Sequence, residues 1–186
     1  PGPAVDGRRD KSTEMTTRQT TSRFFLRLLW LCAAALALGA CQSPPPAAAD
    51  AQAAARRAQV LREQGFVQTE DGWELQMSGK LLFDFNSDVM AGERREMLVR
   101  MGRALVGVGV RALRVEGHAD DQGSADYNAR LSLRRAQSVA QVLAETGIPR
   151  ERIDIRGYGA SRPLAIGTSE TARQENRRVA LIVPVQ

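Results

Sequence analysis

The chain has 186 residues, a length that fits one domain with extensions, and its formal net charge is +5. The first 40 residues hold six basic and three acidic side chains, so 20 basic against 18 acidic residues leave only +2 in the rest. So small an excess gives no electrostatic basis for binding nucleic acid, and that class of function is excluded.

Residues 15–40 have the organisation of a secretory signal peptide. Arg18, Arg23 and Arg27 precede the apolar run 28–38, and small residues follow it. That run is shorter than the about 20 apolar residues that a membrane span needs. Residues 1–14 lie before the first methionine and are interpreted as an upstream remnant.

The run Leu38-Gly39-Ala40-Cys41 resembles the lipobox of bacterial lipoproteins. The resemblance implies that Cys41 is diacylated and becomes the first mature residue. Because Gln42 rather than Asp follows it, the resemblance also implies an outer-membrane anchor facing the periplasm. The alternative is an ordinary cleavage site with an incidental cysteine. Since Cys32 lies within the signal segment, we expect no disulfide and no free thiol in the mature chain.

A linker and a tether helix are predicted between the anchor and the domain, over residues 41–65. Residues 42–49 read QSPPPAAA, which is typical of an extended, solvated linker. A helix is predicted for 50–64, with Asp50 as its N-cap and Gly65 as the residue that ends it. Residues 50–65 span about 24 Å as a helix and up to about 55 Å when extended, so unwinding lengthens the tether.

Residues 66–186 are predicted to form the main domain, in which short strands alternate with amphipathic helices. The predicted strands are 66–67 and 73–77, which flank a Glu70-Asp71-Gly72 turn, then 81–85, 112–117, 153–157 and 178–183. The predicted helices are 90–106 and 126–146, and 157–168 is a Gly/Pro loop. The core order β-α-β-α-β-β predicts an α/β fold, an α+β two-layer sandwich with helices on one face of a mixed sheet.

The most informative motif follows the strand 112–117. It comprises Gly117-His118-Ala119-Asp120, Gly123, Asn128, Leu131-Ser132 and Arg135-Ala136. Asn128, Leu131 and Arg135 are spaced i, i+3, i+7, which places them on one helix face. Arg135 can therefore lie near Asp120 at the start of the helix. A fixed carboxylate takes an ammonium group and a fixed guanidinium takes a carboxylate, so the pair predicts a receptor for a zwitterion.

Together with Asn176-Arg177-Arg178-Val179, this motif resembles the peptidoglycan-binding domain of the OmpA family, over about residues 75–183. The resemblance implies that Asp120 and Arg135 grip the zwitterionic centre of diaminopimelate in the peptidoglycan stem peptide. It implies that the remaining polar contacts come from Asn86, Asn128 and Arg177. Ala119 departs from the family pattern, which has Thr there, and removes a hydroxyl near the site. The alternative is a structural Asp–Arg pair without a ligand, a kind of pair that is common and weak at surfaces.

His118 is the only histidine, and it lies close to Asp120 and Asp121. These residue types suggest a metal site or a general base, but zinc normally needs three protein ligands and no second histidine is present. A hydrolase needs a nucleophile, a base and an oxyanion hole, and the sequence contains no such set. We therefore predict no cofactor, no metal and no enzymatic activity. The arginine-rich stretches 94–103 and 173–178 are interpreted as solvated faces.

A narrower resemblance involves residues 64–75, 82–83 and 175–184, which are similar to OmpA-family lipoproteins of cyclic di-GMP signalling in biofilm formation. It implies capture of the periplasmic repressor YfiR, which frees the membrane diguanylate cyclase YfiN. The partner-binding residues would be Leu61, Phe66 and Trp73. Alternatively, the two aromatic residues only cap the sheet. Two other functions stay open, a plain wall anchor like the Pal lipoprotein and a peptidoglycan-processing enzyme.

Overall fold

A five-stranded mixed sheet lies at the centre of the computed structural model, which describes Gly2 and residues 46–84, 87–90 and 92–185. The strands are β1 (Val67–Thr69), β2 (Gly72–Ser78), β3 (Leu113–Gly117), β4 (Ile153–Gly157) and β5 (Arg178–Pro184). Their order in the sheet is β1-β2-β5-β3-β4. Only β3 and β4 pair in parallel, while the other neighbours are antiparallel. The predicted fold class, a mixed sheet with helices, is confirmed.

The described residues contain five α-helices, none of them long and apolar enough to cross a membrane. They are α1 (Pro46–Glu63), α2 (Gly79–Leu82), α3 (Gly92–Gly107), α4 (Ala125–Glu145) and α5 (Glu170–Asn176). A 3₁₀ turn at Arg150–Arg152 leads into β4. Residues from Ala49 onward form one compact unit.

The core lies between the sheet and helices α3 and α4. Val115 of β3 is opposite Leu181 of β5, and both side chains are fully buried. Opposed residues of paired strands point to the same face, so these two face the helices. The buried helix residues that join them share one face of each helix, at spacings of three, four or seven: Leu98, Met101 and Leu105 of α3, and Ala136, Val139 and Leu143 of α4. Each large side chain contributes about 1.5–3 kcal/mol by leaving water.

The last turn of α1 is attached to this core. Gly65 has φ +88°, its N–H bonds to Arg62 O at 2.9 Å, and Phe66 N bonds to Leu61 O at 2.9 Å. This is the Schellman arrangement, which confirms Gly65 as the residue that ends the helix. The helix already includes Pro46, so the prediction that Asp50 caps it is wrong.

Two segments differ from the sequence predictions. The predicted strand 81–85 is wrong for its described residues 81–84, because residues 79–82 form the single helical turn α2. A short apolar run fits a buried turn as well as a strand, and periodicity cannot separate them. Helix α5 was not predicted at all, although Ser169 caps it by accepting a hydrogen bond from Ala172 N at 3.2 Å.

Helix α4 lies directly on the end of strand β3. A Cβ atom added to Gly117 would lie only 2.0 Å from the backbone oxygen of Ser132, so only glycine allows this approach. The Ser132 hydroxyl also accepts a hydrogen bond from Gly159 N at 2.9 Å. This close contact fixes the loop that follows β3 relative to the side chains of α4.

Candidate functional site

A cavity of about 640 Å³ opens where the end of β3 meets the first turns of α4. Four of the five residues predicted to bind peptidoglycan line it, namely Asp120, Asn128, Arg135 and Arg177. The fifth, Asn86, lies outside the described residues, as does the predicted lipidation site Cys41. The fold therefore brings four polar residues from three parts of the chain to one cavity.

Asp120 supplies a buried carboxylate with a fixed orientation. It is 7% exposed, and its Oδ1 accepts a hydrogen bond from the backbone N–H of Gln122 at 3.1 Å. Its Oδ2 lies 2.5 Å from Nη1 of Arg177. In the described part of the chain the ion-pair partner of Asp120 is thus Arg177, and Arg135 lines the same cavity without pairing with it.

Arg135 is 6% exposed and projects from α4 into the cavity. Its Nε donates to the carbonyl of Ser87 at 2.9 Å, and its guanidinium carbon lies 5.3 Å from the centre of the Phe83 ring. Among the described residues no carboxylate is within ion-pair distance of it. Burial lowers the pKa of Arg135, but an arginine stays charged at any physiological pH. The cavity therefore contains a positive charge without an acidic partner in the described ranges.

Asn128 holds the loop that carries Asp120. Its Nδ2 donates to the backbone carbonyl oxygens of Asp120, at 3.1 Å, and of Gln122, at 2.8 Å. Asn128 is buried on the cavity side of α4, as the i, i+3, i+7 spacing predicted for it and its two companions. A direct contact between Asn128 and a ligand stays a prediction, whereas its support of the loop is observed.

Helix α5 is clamped to the other side of this loop by ion pairs. Arg173 Nε lies 2.7 Å from Asp121 Oδ1, and Arg177 pairs with both Asp120 and Glu170, at 2.5 Å each. The hydrogen bond from Arg177 lowers the pKa of Glu170. Burial pulls the pKa of Arg177 down, but its two carboxylate partners raise it overall. Sequence reasoning missed Glu170, although the Ser169-Glu170 pair is a typical helix start.

The interpretation of residues 173–178 as a solvated face is wrong for its second half. Asn176 is buried, and its Oδ1 accepts hydrogen bonds from Leu164 N at 2.7 Å and Ala165 N at 3.0 Å. Arg178 is buried as well, and its Nε donates to Oε1 of Gln76 at 2.9 Å. Asn176 thus holds the loop before α5, and Arg178 joins β5 to β2.

The residues predicted to bind a partner lie in the last turn of α1, just after it, and in the neighbouring strand β2. Leu61 is 0% and Phe66 3% exposed, and both belong to the core. Trp73 is half-buried, with the Arg62 guanidinium 5.3 Å from the centre of its ring. In this conformation Leu61 and Phe66 present no surface, so a partner reaches them only after α1 leaves the sheet. Their role in partner binding stays a prediction.

His118 does not line the cavity. It is 3% exposed, its ring stacks on Tyr158 with centroids 5.5 Å apart, and its Nδ1 has no hydrogen-bond partner among the described residues. Its Nε2 lies 3.8 Å from a carboxylate oxygen of Glu116. Burial, followed by the charges of Arg178 and Arg162, lowers the pKa of His118 from 6.5 to about 4. The described residues include no cluster of three His, Cys, Asp or Glu side chains that could hold a metal.

This buried imidazole predicts a pH dependence of folding. Between pH 6.5 and about 4 the unfolded chain binds a proton at His118 that the folded chain does not. The free energy of unfolding is then fully retained above pH 6.5 and falls as the pH drops, by up to about 3 kcal/mol. Urea unfolding of the wild type and of His118→Gln across this window measures it. Parallel pH curves for the two proteins would contradict the prediction.

Comparisons with known proteins agree with this geometry. A family model described as the OmpA family matches residues 82–177. The outer-membrane lipoprotein YfiB of Pseudomonas aeruginosa is 44% identical over 162 residues, which cover 86% of this chain and 95% of that protein. The peptidoglycan-associated lipoprotein of Brucella melitensis is 30% identical over 104 residues, covering 56% of this chain and 62% of that protein.

A solved structure extends the likeness to three dimensions. The cell wall anchor of the T6SS from Pseudomonas aeruginosa superposes with a TM-score of 0.58 and 28% sequence identity. The superposition covers 72% of this chain and 96% of that chain. The matched family model covers most of the residues that line the cavity, from Phe83 to Arg177. The chain therefore belongs to the OmpA family, as a YfiB-like outer-membrane lipoprotein.

Proposed function

We propose that this lipoprotein binds peptidoglycan non-covalently through the zwitterionic centre of diaminopimelate in the stem peptide. The observation that carries the proposal is the buried Arg135 guanidinium, without an acidic partner in the described ranges, in the same cavity as the buried Asp120 carboxylate. A guanidinium binds a carboxylate with two parallel hydrogen bonds, and a carboxylate binds an ammonium group. The two side chains thus match the two charges of an α-amino acid centre.

The other walls of the cavity suit the rest of that ligand. Phe83 and Leu131 offer an apolar surface for the methylene chain of diaminopimelate. Ala119 also lines the cavity, and the absence of a hydroxyl there removes one hydrogen bond that the family pattern offers. In this proposal no covalent bond is made or broken, so the protein acts as a binding protein. The names of the Brucella lipoprotein and of the T6SS anchor support the same role.

Lipidation of Cys41 completes the proposal, because it would tie the outer membrane to the wall. Cys41 lies five residues before Pro46, the first described residue of α1. Several acyl chains hold a protein on a membrane far more firmly than one. The lipid and the domain would then hold the two layers of the envelope together.

Co-sedimentation with purified sacculi tests the proposal. We expect the wild-type protein to sediment with diaminopimelate-type sacculi and to be released by free meso-diaminopimelate. Lysine-type peptidoglycan is the matched control, because its side chain lacks the second carboxyl group and should not bind. Equal sedimentation with both walls would contradict the zwitterion site. Soluble wall fragments in the supernatant would instead support the alternative of a processing enzyme.

We also propose that the protein captures the periplasmic repressor YfiR and so frees a diguanylate cyclase that produces cyclic di-GMP. The 44% identity to YfiB over 86% of this chain favours this second role. Release of α1 would expose Leu61, Phe66 and Trp73 to a partner. The alternative, a plain anchor between membrane and wall, requires no such release. Binding of purified YfiR, measured before and after α1 is destabilised, separates the two roles.

A further inference from the structure

The charges around the cavity pose a problem for binding an ammonium group. Asp120 is already paired with Arg177 at 2.5 Å, and that pair by itself is neutral. Arg135 adds a positive charge to the same cavity. A site with only these three side chains would carry a net charge of +1, which favours a plain carboxylate ligand and opposes an ammonium group.

Glu170 changes this charge count. Its Oε1 lies 2.5 Å from Nη2 of Arg177, while Nη1 of the same guanidinium contacts Asp120. One cation is therefore shared by two carboxylates through separate nitrogen atoms, and the cluster of Asp120, Arg177 and Glu170 carries a net charge of −1. Arg135 forms no ion pair with this cluster and contacts Ser87 and Phe83 instead. Lys80, Asp84 and Arg94 also line the cavity, where Asp84 pairs with Arg94. The cavity therefore presents a net negative cluster around Arg177 together with the positive charges of Arg135 and Lys80.

We propose that Glu170 is the residue that makes this site selective for a zwitterion over a plain carboxylate. Its charge balances Arg177, so that Asp120 can accept an ammonium group without losing its neighbour. When the ammonium group arrives, two anions face two cations, and the ligand carboxylate neutralises Arg135. The inference rests on the proposed binding of diaminopimelate and adds the residue that would decide which ligand charge is accepted.

A merely structural role for Glu170 is the competing explanation. Glu170 is the first residue of α5, where a negative charge stabilises the helix end. If the role is only structural, Glu170→Gln loosens the wall of the cavity and weakens the binding of all ligands alike. If Glu170 selects by charge, Glu170→Gln changes the ratio of the affinities for two ligands that differ only in their ammonium groups. This ratio of affinities is therefore the informative measurement.

Titration calorimetry of the full chain in detergent micelles, with meso-diaminopimelate and with pimelate, measures that ratio. We expect Glu170→Gln to lower the affinity for meso-diaminopimelate by about two- to fivefold. The effect is small because the Glu170 side chain is 58% exposed and its charge is partly screened by solvent. Pimelate, which has no ammonium group, should bind Glu170→Gln as well as or better than the wild type. Glu175→Gln removes the same charge from the same helix outside the cavity and should keep the wild-type ratio.

Each outcome bears on one claim. Suppose that the wild type binds meso-diaminopimelate but Glu170→Gln weakens the binding of both ligands equally or of neither. The ratio of the two affinities is then unchanged, and only the selecting role of Glu170 is overturned. Failure of the wild type to bind meso-diaminopimelate overturns the proposed function and this inference with it. Circular dichroism and thermal unfolding of Glu170→Gln check that α5 and the domain stay folded. Glu170→Asp keeps the charge and should restore most of the wild-type ratio.

Discussion

Asp120→Ala and Arg135→Ala should each remove measurable binding to sacculi while the domain stays folded. Each change leaves one charge of the ligand without its partner in a partly desolvated cavity. Such a loss costs about 2–5 kcal/mol, or about 30-fold to several thousand-fold in affinity. Co-sedimentation with diaminopimelate-type sacculi measures the effect, and circular dichroism checks the fold.

The structure separates the two variants in their effect on stability. In Asp120→Ala, Arg177 keeps Glu170 as its partner, so a charge is not left alone. In Arg135→Ala, the contacts of the guanidinium with Ser87 and Phe83 are both lost, but a buried charge without an acidic partner among the described residues is removed as well, which offsets part of the loss in thermal stability. Arg135→Lys tests whether two parallel hydrogen bonds to the ligand carboxylate are needed, because a lysine keeps the charge but cannot make both bonds.

Arg130→Ala is a matched control on the same helix. Arg130 is exposed, pairs with Asp126 one turn earlier and does not line the cavity. Arg130 carries the same charge as Arg135. If general electrostatic attraction to the wall caused binding, Arg130→Ala and Arg135→Ala would therefore weaken binding alike. Sedimentation of Asp120→Ala and Arg135→Ala at the wild-type level would rule out the proposed site.

The elements that the sequence predicted well are those with a clear period and a clear stop. The strand 153–157 matches β4 at both ends, and the helix 126–146 differs from α4 by one residue at each end. Gly147 stops that helix with φ +107°. In contrast, the run around Leu82 and Phe83 has no period, and tertiary contacts decide its shape. Gly79 N bonds to the carbonyl of Arg177, a residue almost a hundred positions away in the sequence.

The site residues also fall into those that the sequence could predict and those that it could not. Helical spacing alone places Asn128 and Arg135 on the buried face of α4. Spacing says nothing about the partner of Asp120, because Arg177 follows it by 57 residues and reaches it through α5. Family resemblance pointed to Arg177 as a source of a ligand contact, but it did not indicate that the Arg177 guanidinium bridges two carboxylates of the protein. Glu170 was missed because it lies between the predicted loop 157–168 and the arginine-rich stretch 173–178, where no helix was predicted.

The second large effect concerns Leu61, which is fully buried in the last turn of α1. Leu61→Pro should release this turn from the sheet and favour capture of YfiR. Proline in a helix interior removes a backbone hydrogen bond and clashes with the carbonyl four residues earlier, which costs about 3 kcal/mol or more. The loss of the leucine side chain from the core adds to this cost. The exposed earlier turns of α1 cannot compensate, because an isolated helix of this length is marginal in water.

In the signalling role, cells with Leu61→Pro should capture more repressor and contain more cyclic di-GMP without any stimulus. Ala54→Pro is the matched control, because it breaks α1 at an exposed residue and leaves the packed last turn in place. If release of Leu61 and Phe66 is the switch, Ala54→Pro keeps the wild-type level of cyclic di-GMP. If length of the tether is the switch, both proline variants raise it, because both unwind part of the helix. Equal cyclic di-GMP in wild type, Ala54→Pro and Leu61→Pro at matched protein levels would leave only the plain anchor between membrane and wall.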